Sequence, residues 1–91
     1  MIDIQITVNR LDDVIVAKMS EMGYQWMGPD YRDHRPPGFS GDEAEWAKLL
    51  FREPLGQRRI NIHVRVNGRA NQRYALLFRD YLRAHHLTDL P

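Results

Sequence analysis

The first third of the chain changes from a strand-like to a helix-like spacing of apolar residues. In residues 2–8 (IDIQITV) every second residue is apolar, which is typical of a strand with one buried face. From about residue 11 to residue 22 the apolar residues recur at helical spacing. The acidic pair Asp12-Asp13 favours a helix N-terminus there, and Gly23 suits the position after the helix end. Residues 24–27 then predict a short strand.

The middle of the chain predicts a long loop followed by a hairpin. Residues 28–42 contain three of the five prolines and three of the six glycines, so we expect a flexible loop there. The segment 42–45 suits either a short helical turn or a lead into the next strand. Residues 46–53 are ambiguous between helix and strand, and a short apolar run favours a buried strand. Residues 58–66 (RRINIHVRV) alternate cleanly, so the two segments predict a β-hairpin.

The end of the chain predicts one amphipathic helix. Asn67-Gly68 is a strong turn signal, and a helix is expected from about residue 71 to residue 85. Its apolar stripe has the spacing of a core-facing helix and comprises Tyr74, Leu77, Phe78, Tyr81 and Leu82. The order β-α-β-β-β-α predicts a single domain, residues 1–91, of the α+β class. We expect a small, mostly antiparallel sheet with the helices packed on one face.

Composition narrows the class of protein without identifying a function. With 43% hydrophobic and 27% charged residues, the chain has a globular rather than a disordered composition. The net charge is +1, which gives no strong attraction to nucleic acid or to anionic lipid. Cysteine is absent, so disulfide and thiolate chemistry are excluded. No signal peptide or membrane-length apolar run is found, and a cytoplasmic location is expected.

Candidate chemistry lies on the polar faces of the two alternating strands. Asp3 and Gln5 share one such face, and an acidic pair at this spacing would suit a divalent metal, but Gln5 is a weak neutral ligand. His63 and Arg65 share the polar face of the second strand, where a histidine can act as a base or a phosphate partner. The planar guanidinium of Arg52 is suited to bind phosphate or carboxylate through two parallel hydrogen bonds. A solvated sheet face is the simpler interpretation for Asp3, Gln5 and the arginines, and it is favoured over a nucleic-acid patch. For His63 the simpler interpretation is a structural, hydrogen-bonded histidine.

Several segments resemble the GrpB family in order and spacing. The helix segment 78–85 (FRDYLRAH) resembles the hallmark helix of that family. Weaker matches are Ile2-Asp3-Ile4, Gly23-Tyr24, Phe51-Arg52 and Ile62-His63-Val64.

The resemblance implies a nucleotidyltransferase-like core, in which a Gly-Ser segment holds nucleotide phosphates and acids on a strand hold magnesium. Only Asp3 matches such an acid. The Gly-Ser segment that precedes this strand in the family and the helical extension after Leu87 are not found in this sequence. We therefore expect a form truncated at both ends.

Three functions remain open on this basis. The first is a non-catalytic binding or protein-interaction module, with a homodimer or docking onto another protein expected. The second is a domain that binds a nucleotide or a phosphate compound between Asp3, His63 and Arg52, which requires these side chains to converge. The third is a nucleotidyltransferase completed by a partner that supplies the Gly-Ser element. No cofactor is expected, with Mg²⁺ possible only where a nucleotide binds.

Overall fold

The computed structural model describes residues 2–39 and 42–89, with side chains through residue 84. Five of its elements belong to the first two-thirds of the chain: β1 (Ile2–Val8), α1 (Asp13–Glu21), β2 (Gln25–Trp26), a short 3-10 helix (Glu43–Trp46) and β3 (Leu49–Arg52). They are followed by β4 (Ile60–Val66) and α2 (Ala70–Asp89). Residues 42–53 thus contain both of the alternatives that the sequence left open, a helical turn and a strand. None of the helices in the described residues combines the length and hydrophobicity needed to cross a membrane.

The four strands form one mixed sheet in the order β1-β4-β3-β2. The predicted hairpin is confirmed, because β3 pairs antiparallel with β4 and places Phe51 opposite Ile62. The strand β2 is antiparallel to β3, whereas β1 runs parallel to β4 with Gln5 opposite His63. The α+β class is therefore confirmed, with two antiparallel strand pairs and one parallel pair.

Local interactions set both ends of α1. The Asp12 side chain accepts a hydrogen bond from the backbone N–H of Val14 at 2.9 Å, which caps the N-terminus. At the other end, the N–H of Gly23 bonds to the carbonyl of Ser20 and the N–H of Tyr24 bonds to that of Met19. This is the Schellman arrangement, and it requires the positive φ of 92° that Gly23 adopts.

The core lies between α1 and the apolar face of the sheet. Phe51, Ile62 and Val64 are its buried centre. The partly buried residues packed against them are Val8, Leu11, Ile15, Val16, Met19, Tyr24, Leu49 and Ile60. These residues come from three strands, α1 and its flanks, so the core forms without any described side chain of α2.

The helix α2 does not follow the predicted arrangement with both helices on one face. It packs against the 3-10 helix and the end of β4, and its Asn71 bonds to groups over the polar side of the sheet. Three aromatic rings fix its first turns, with Tyr74 5.7 Å from Phe39 and 6.3 Å from Trp46. Beyond them the predicted core stripe is exposed, and Leu77 reaches 68% exposure. The core-facing prediction for this stripe was wrong because the sheet already covers its apolar face with α1.

Candidate functional site

The polar face of the sheet is organised around the carboxylate of Asp33. Both of its oxygens accept from Arg65, whose Nε lies 2.8 Å from Oδ2 and whose Nη2 lies 2.9 Å from Oδ1. The Lys48 ammonium donates to Oδ1 at 2.9 Å, and the Asn71 amide donates to Oδ2 at 2.9 Å. The loop, β4, the residue before β3 and α2 therefore meet at one carboxylate. The bidentate pair with Arg65 is a charge-assisted hydrogen bond of the strong class.

Charge is concentrated at this point and shielded from solvent. The Lys48 and Arg65 side chains are each 10% exposed, and that of Asp33 is 20% exposed. Burial by itself would raise the pKa of the Asp33 carboxyl, but the bonds and charges of Arg65 and Lys48 outweigh it and hold that pKa well below its ordinary value. Asp33 is thus a permanent anion that compensates two cations.

His63 connects this cluster to β1. Its Nδ1 lies 3.1 Å from the Lys48 ammonium, and its Nε2 lies 3.1 Å from Oδ1 of Asp3. An ammonium can only donate, so Nδ1 accepts and the Nε2–H group donates to the Asp3 carboxylate. Burial lowers the pKa of His63, and the charges of Lys48 and Arg65 add to this effect against the opposing influence of Asp3. The imidazole is therefore neutral at pH 7.

The structure brings together four of the five residues that the sequence proposed. Gln5 accepts a hydrogen bond from Nη1 of Arg65, and Asp3 accepts from His63, so these four side chains join the network around Asp33. Arg52 does not join them. It lies opposite Asn61 on β4, and its Nε pairs with the carboxylate of Glu53 at 3.5 Å beside the hairpin turn.

Three members of the network were missed from the sequence, for different reasons. Lys48 shares the alternation of Leu50 and Arg52, so a firm assignment of β3 would have placed it on the polar face. Asp33 and Asn71 had no such signal. Asp33 lies in the Pro-rich loop, where no periodicity indicates direction, and Asn71 lies in the first turn of α2.

A groove of about 710 Å³ lies between this network and α2, and we call it the polar-face groove. The sheet and loop contribute Asp3, Gln5, Thr7, Asp33, His34 and Arg65. The helix α2 contributes Asn71, Tyr74, Phe78, Arg79, Leu82 and Arg83 among its lining residues. One wall is therefore polar and ionic, and the other is aromatic with arginines along it.

Two buried polar atoms of groove-lining residues have unmet bonding capacity. Within the described residues, Nε1 of Trp46 and Oδ1 of Asn71 have no hydrogen-bond partner. The Asn71 amide cannot be turned around, because its nitrogen already donates to Asp33 and to the carbonyl of Ala47. Buried polar groups are normally paired, so a donor and an acceptor left over beside one groove call for an explanation.

The network does not fit the magnesium ion that the family resemblance implies. Magnesium prefers carboxylates that keep several waters and share a substrate phosphate. Here Oδ1 of Asp3 accepts from His63, the Gln5 carbonyl accepts from Arg65, and Asp33 is bound by two cations. Among the residues described there is no group of three or more histidine, aspartate or glutamate side chains arranged to hold a metal.

Comparison with known proteins establishes the family. The GrpB protein family matches residues 1–89, so the chain belongs to the GrpB family. It is 36% identical over 100 residues to a dephospho-CoA kinase of Mycolicibacterium paratuberculosis. It is 32% identical over 95 residues to a dephospho-CoA kinase of Mycobacterium bovis. Each match covers 92% of this chain and 23% of the relative, so the chain spans about a quarter of the length of these relatives.

Proposed function

We propose that this GrpB domain is a non-catalytic binding module whose polar-face groove holds a nucleotide or a related phosphate compound. The observation that carries the proposal is the convergence of Asp3, Gln5, His63 and Arg65 into one network beside that groove. A solvated sheet face would leave these side chains separate and exposed, whereas Arg65 is only 8% exposed.

The two walls of the groove match the two halves of a nucleotide. Arg79 and Arg83 line the α2 side of the groove. The Arg79 guanidinium donates to Asp80, and Arg83 offers a planar fork for phosphate oxygens. Tyr74 and Phe78 line the same side and offer aromatic surface for a base, and such stacking is worth about 1–3 kcal/mol per base.

The similarity to dephospho-CoA kinases narrows the class of ligand to be tried first. The name of these relatives indicates dephospho-CoA as their substrate, and the chain matches 23% of their length. We therefore propose adenine nucleotides and dephospho-CoA as the first candidates, without assigning kinase activity to this domain.

Transfer chemistry is not part of the proposal. Nucleotidyl transfer relies on metal ions and positioned donors that stabilise charge on the transferred group. The acid proposed for that role, Asp3, is hydrogen-bonded to His63, and both carboxylate oxygens of Asp33 accept hydrogen bonds from Arg65, Lys48 and Asn71. The domain is expected to bind its ligand without turning it over.

The test is an affinity measurement with matched arginine variants. Calorimetric titration with ATP and with dephospho-CoA should give saturable binding with a dissociation constant below about 1 mM. Arg83→Glu should weaken it by about tenfold or more, because a charged hydrogen bond to phosphate is worth about 1.5–3 kcal/mol. Arg59→Glu, an equally large change at an exposed arginine on the hairpin outside the groove, should leave the affinity unchanged. Equal effects of the two substitutions would contradict the groove as the site.

A second candidate function is docking onto a dephospho-CoA kinase domain. The exposed apolar row of α2, with Leu77, Phe78, Tyr81 and Leu82 each more than half exposed, favours it. In the relatives, the matching region is part of a polypeptide named dephospho-CoA kinase. Co-sedimentation of this chain with such a kinase domain should be abolished by Leu77→Glu and unaffected by Leu55→Glu, which alters an exposed leucine outside α2.

A further inference from the structure

The strand β1 has a strand neighbour on one side only within the described sheet, where β4 pairs along all seven of its residues. Its other edge is long and straight, and residues 2–8 contain no lysine, proline or bulge of the kind that protects natural edge strands. On its apolar face Ile2, Ile4 and Ile6 are 46%, 38% and 37% exposed, although their counterparts on β4 are largely covered. Both features mark a surface built to receive another strand.

One hydrogen bond shows which backbone groups face the open edge. The carbonyl of Val8 accepts from the N–H of Asn67, so the backbone of Val8 points toward β4. In a strand, the N–H and C=O of one residue point to the same side, and this side alternates along the chain. The backbone groups of Ile2, Ile4 and Ile6 therefore also point toward β4, and those of Asp3, Gln5 and Thr7 point outward.

We propose that β1 pairs antiparallel with β1 of a second copy of this chain, about a two-fold axis at Gln5. This register sets Gln5 opposite its symmetry mate and sets each Asp3 opposite the partner copy's equivalent of Thr7. All three residues expose their backbone groups to the open edge, so they form the hydrogen-bonded pairs and give about six backbone hydrogen bonds. The two four-stranded sheets become one continuous sheet.

In this register β1 is complementary to a second β1, and for this reason we assign the open edge to a second copy of the chain. Ile4 meets the partner copy's equivalent of Ile6 in a non-hydrogen-bonded pair, the kind in which side chains lie closest. The exposed isoleucines of the two copies thus cover one another on the apolar face. On the polar face, the acidic Asp3 faces a neutral threonine rather than another carboxylate, so no like charges oppose each other.

Two substitutions of opposite charge at Thr7 test the proposed register, in which position 7 lies opposite Asp3 of the second copy. Thr7→Asp sets an acid directly opposite Asp3 of the other copy, twice per dimer, whereas Thr7→Lys sets a base there. Sedimentation equilibrium of the full chain at up to about 1 mM should show a dimer that Thr7→Asp weakens about tenfold relative to Thr7→Lys. Within one copy the order of stability is the reverse, because position 7 lies beside Arg65 on β4. A general loss of folding therefore cannot imitate the expected result.

Amide hydrogen exchange tests the same proposal at the backbone. The amides of Asp3, Gln5 and Thr7 should be protected above the dimer dissociation constant and exchange rapidly below it. The amides of Ile4 and Ile6, which face β4, should be protected at both concentrations and serve as the internal control.

A chain that stays monomeric at every concentration would overturn the proposal. A dimer with identical affinity in both Thr7 variants would overturn it as well. Concentration-independent protection of the outward amides would show that another segment occupies the edge. None of these outcomes depends on whether the polar-face groove binds a nucleotide.

Discussion

Removal of the Asp33 carboxylate is expected to lower the stability of the folded domain strongly, because this group is the centre of the polar network. In Asp33→Ala, Lys48 and Arg65 remain in place with side chains only 10% exposed and lose the anion that compensates them. The loop loses its side-chain hydrogen bond to Asn71 of α2 at the same time.

The size of the expected loss in the free energy of unfolding follows from the burial of the ion pairs around Asp33. Breaking a buried ion pair by removing one partner costs about 3–5 kcal/mol, mostly through the charge left behind. Asp33 itself is 20% exposed, so water can reach the site, and we expect a loss near the lower end, about 3 kcal/mol. Domains of this size are stable by about 5–15 kcal/mol, so the variant should fold with greatly reduced stability. Urea unfolding with a slope of about 1–3 kcal/mol/M should show a midpoint lower by about 1–3 M.

Two further variants separate the charge effect from general damage. Asp80→Ala breaks an Arg–Asp pair whose side chains are 50% and 61% exposed, and it should cost less than about 1 kcal/mol. Adding Lys48→Met to Asp33→Ala removes one stranded cation and should recover part of the loss. If Asp33→Ala costs no more than Asp80→Ala, the Asp33 carboxylate does not compensate two buried cations.

Three other predictions concern acid, the core and a helix end. The pKa of His63 lies below its ordinary 6.5, so the unfolded chain binds this proton more readily than the folded chain. The contribution of His63 to stability should therefore be complete above pH 6.5 and should fall as the pH drops below it. In urea unfolding measured across pH, His63→Gln should flatten this part of the stability profile. Phe51→Ala, at a side chain with 0% exposure, should cost about 3–5 kcal/mol in the same assay, and a cost below 1 kcal/mol would mean that the core is wrongly placed. Gly23→Ala should cost about 1 kcal/mol or more because of its positive φ of 92°, and a stabilised variant would rule out that conformation.

Helices and strands were predictable from the sequence where one face of the element packs against the core and the other faces solvent. The alternation of residues 58–66 identified β4, because a period of two specifies a half-buried strand, and a short apolar run favoured β3. The pattern could not reveal that β1 runs parallel to β4, since that pairing joins residues about sixty positions apart. It also could not distinguish a 3-10 turn from a strand across residues 42–53, where each element is only four residues long.

The helix α2 shows where periodicity misleads. Its stripe has the spacing of a core helix, and the helix itself was predicted correctly over most of its length. Spacing reports that one face is apolar, but it does not report what covers that face. The core of this domain was already complete with α1, so Phe78, Tyr81 and Leu82 remain accessible on α2.

Only those residues of the candidate site that lie on alternating strands could be predicted from the sequence. Asp3 and Gln5 share a face of β1, and His63 and Arg65 share a face of β4, so pairing of the two strands brings all four together. Arg52 has the same orientation but lies at the other end of β3, beyond Leu50. Asp33, the centre of the network, comes from a loop, and its direction is set by the contacts that it makes.

A nucleotide titration followed by amide NMR shifts shows directly whether the polar-face groove binds a nucleotide. With ¹⁵N-labelled protein and dephospho-CoA or ATP, we expect saturable amide shifts at Arg65, Asn71 and the groove-facing turns of α2 through Arg83. The amides around Arg59 and α1 should not move. Saturable binding mapped to another surface, or no shift at millimolar ligand, would contradict the assignment of the polar-face groove as a nucleotide site.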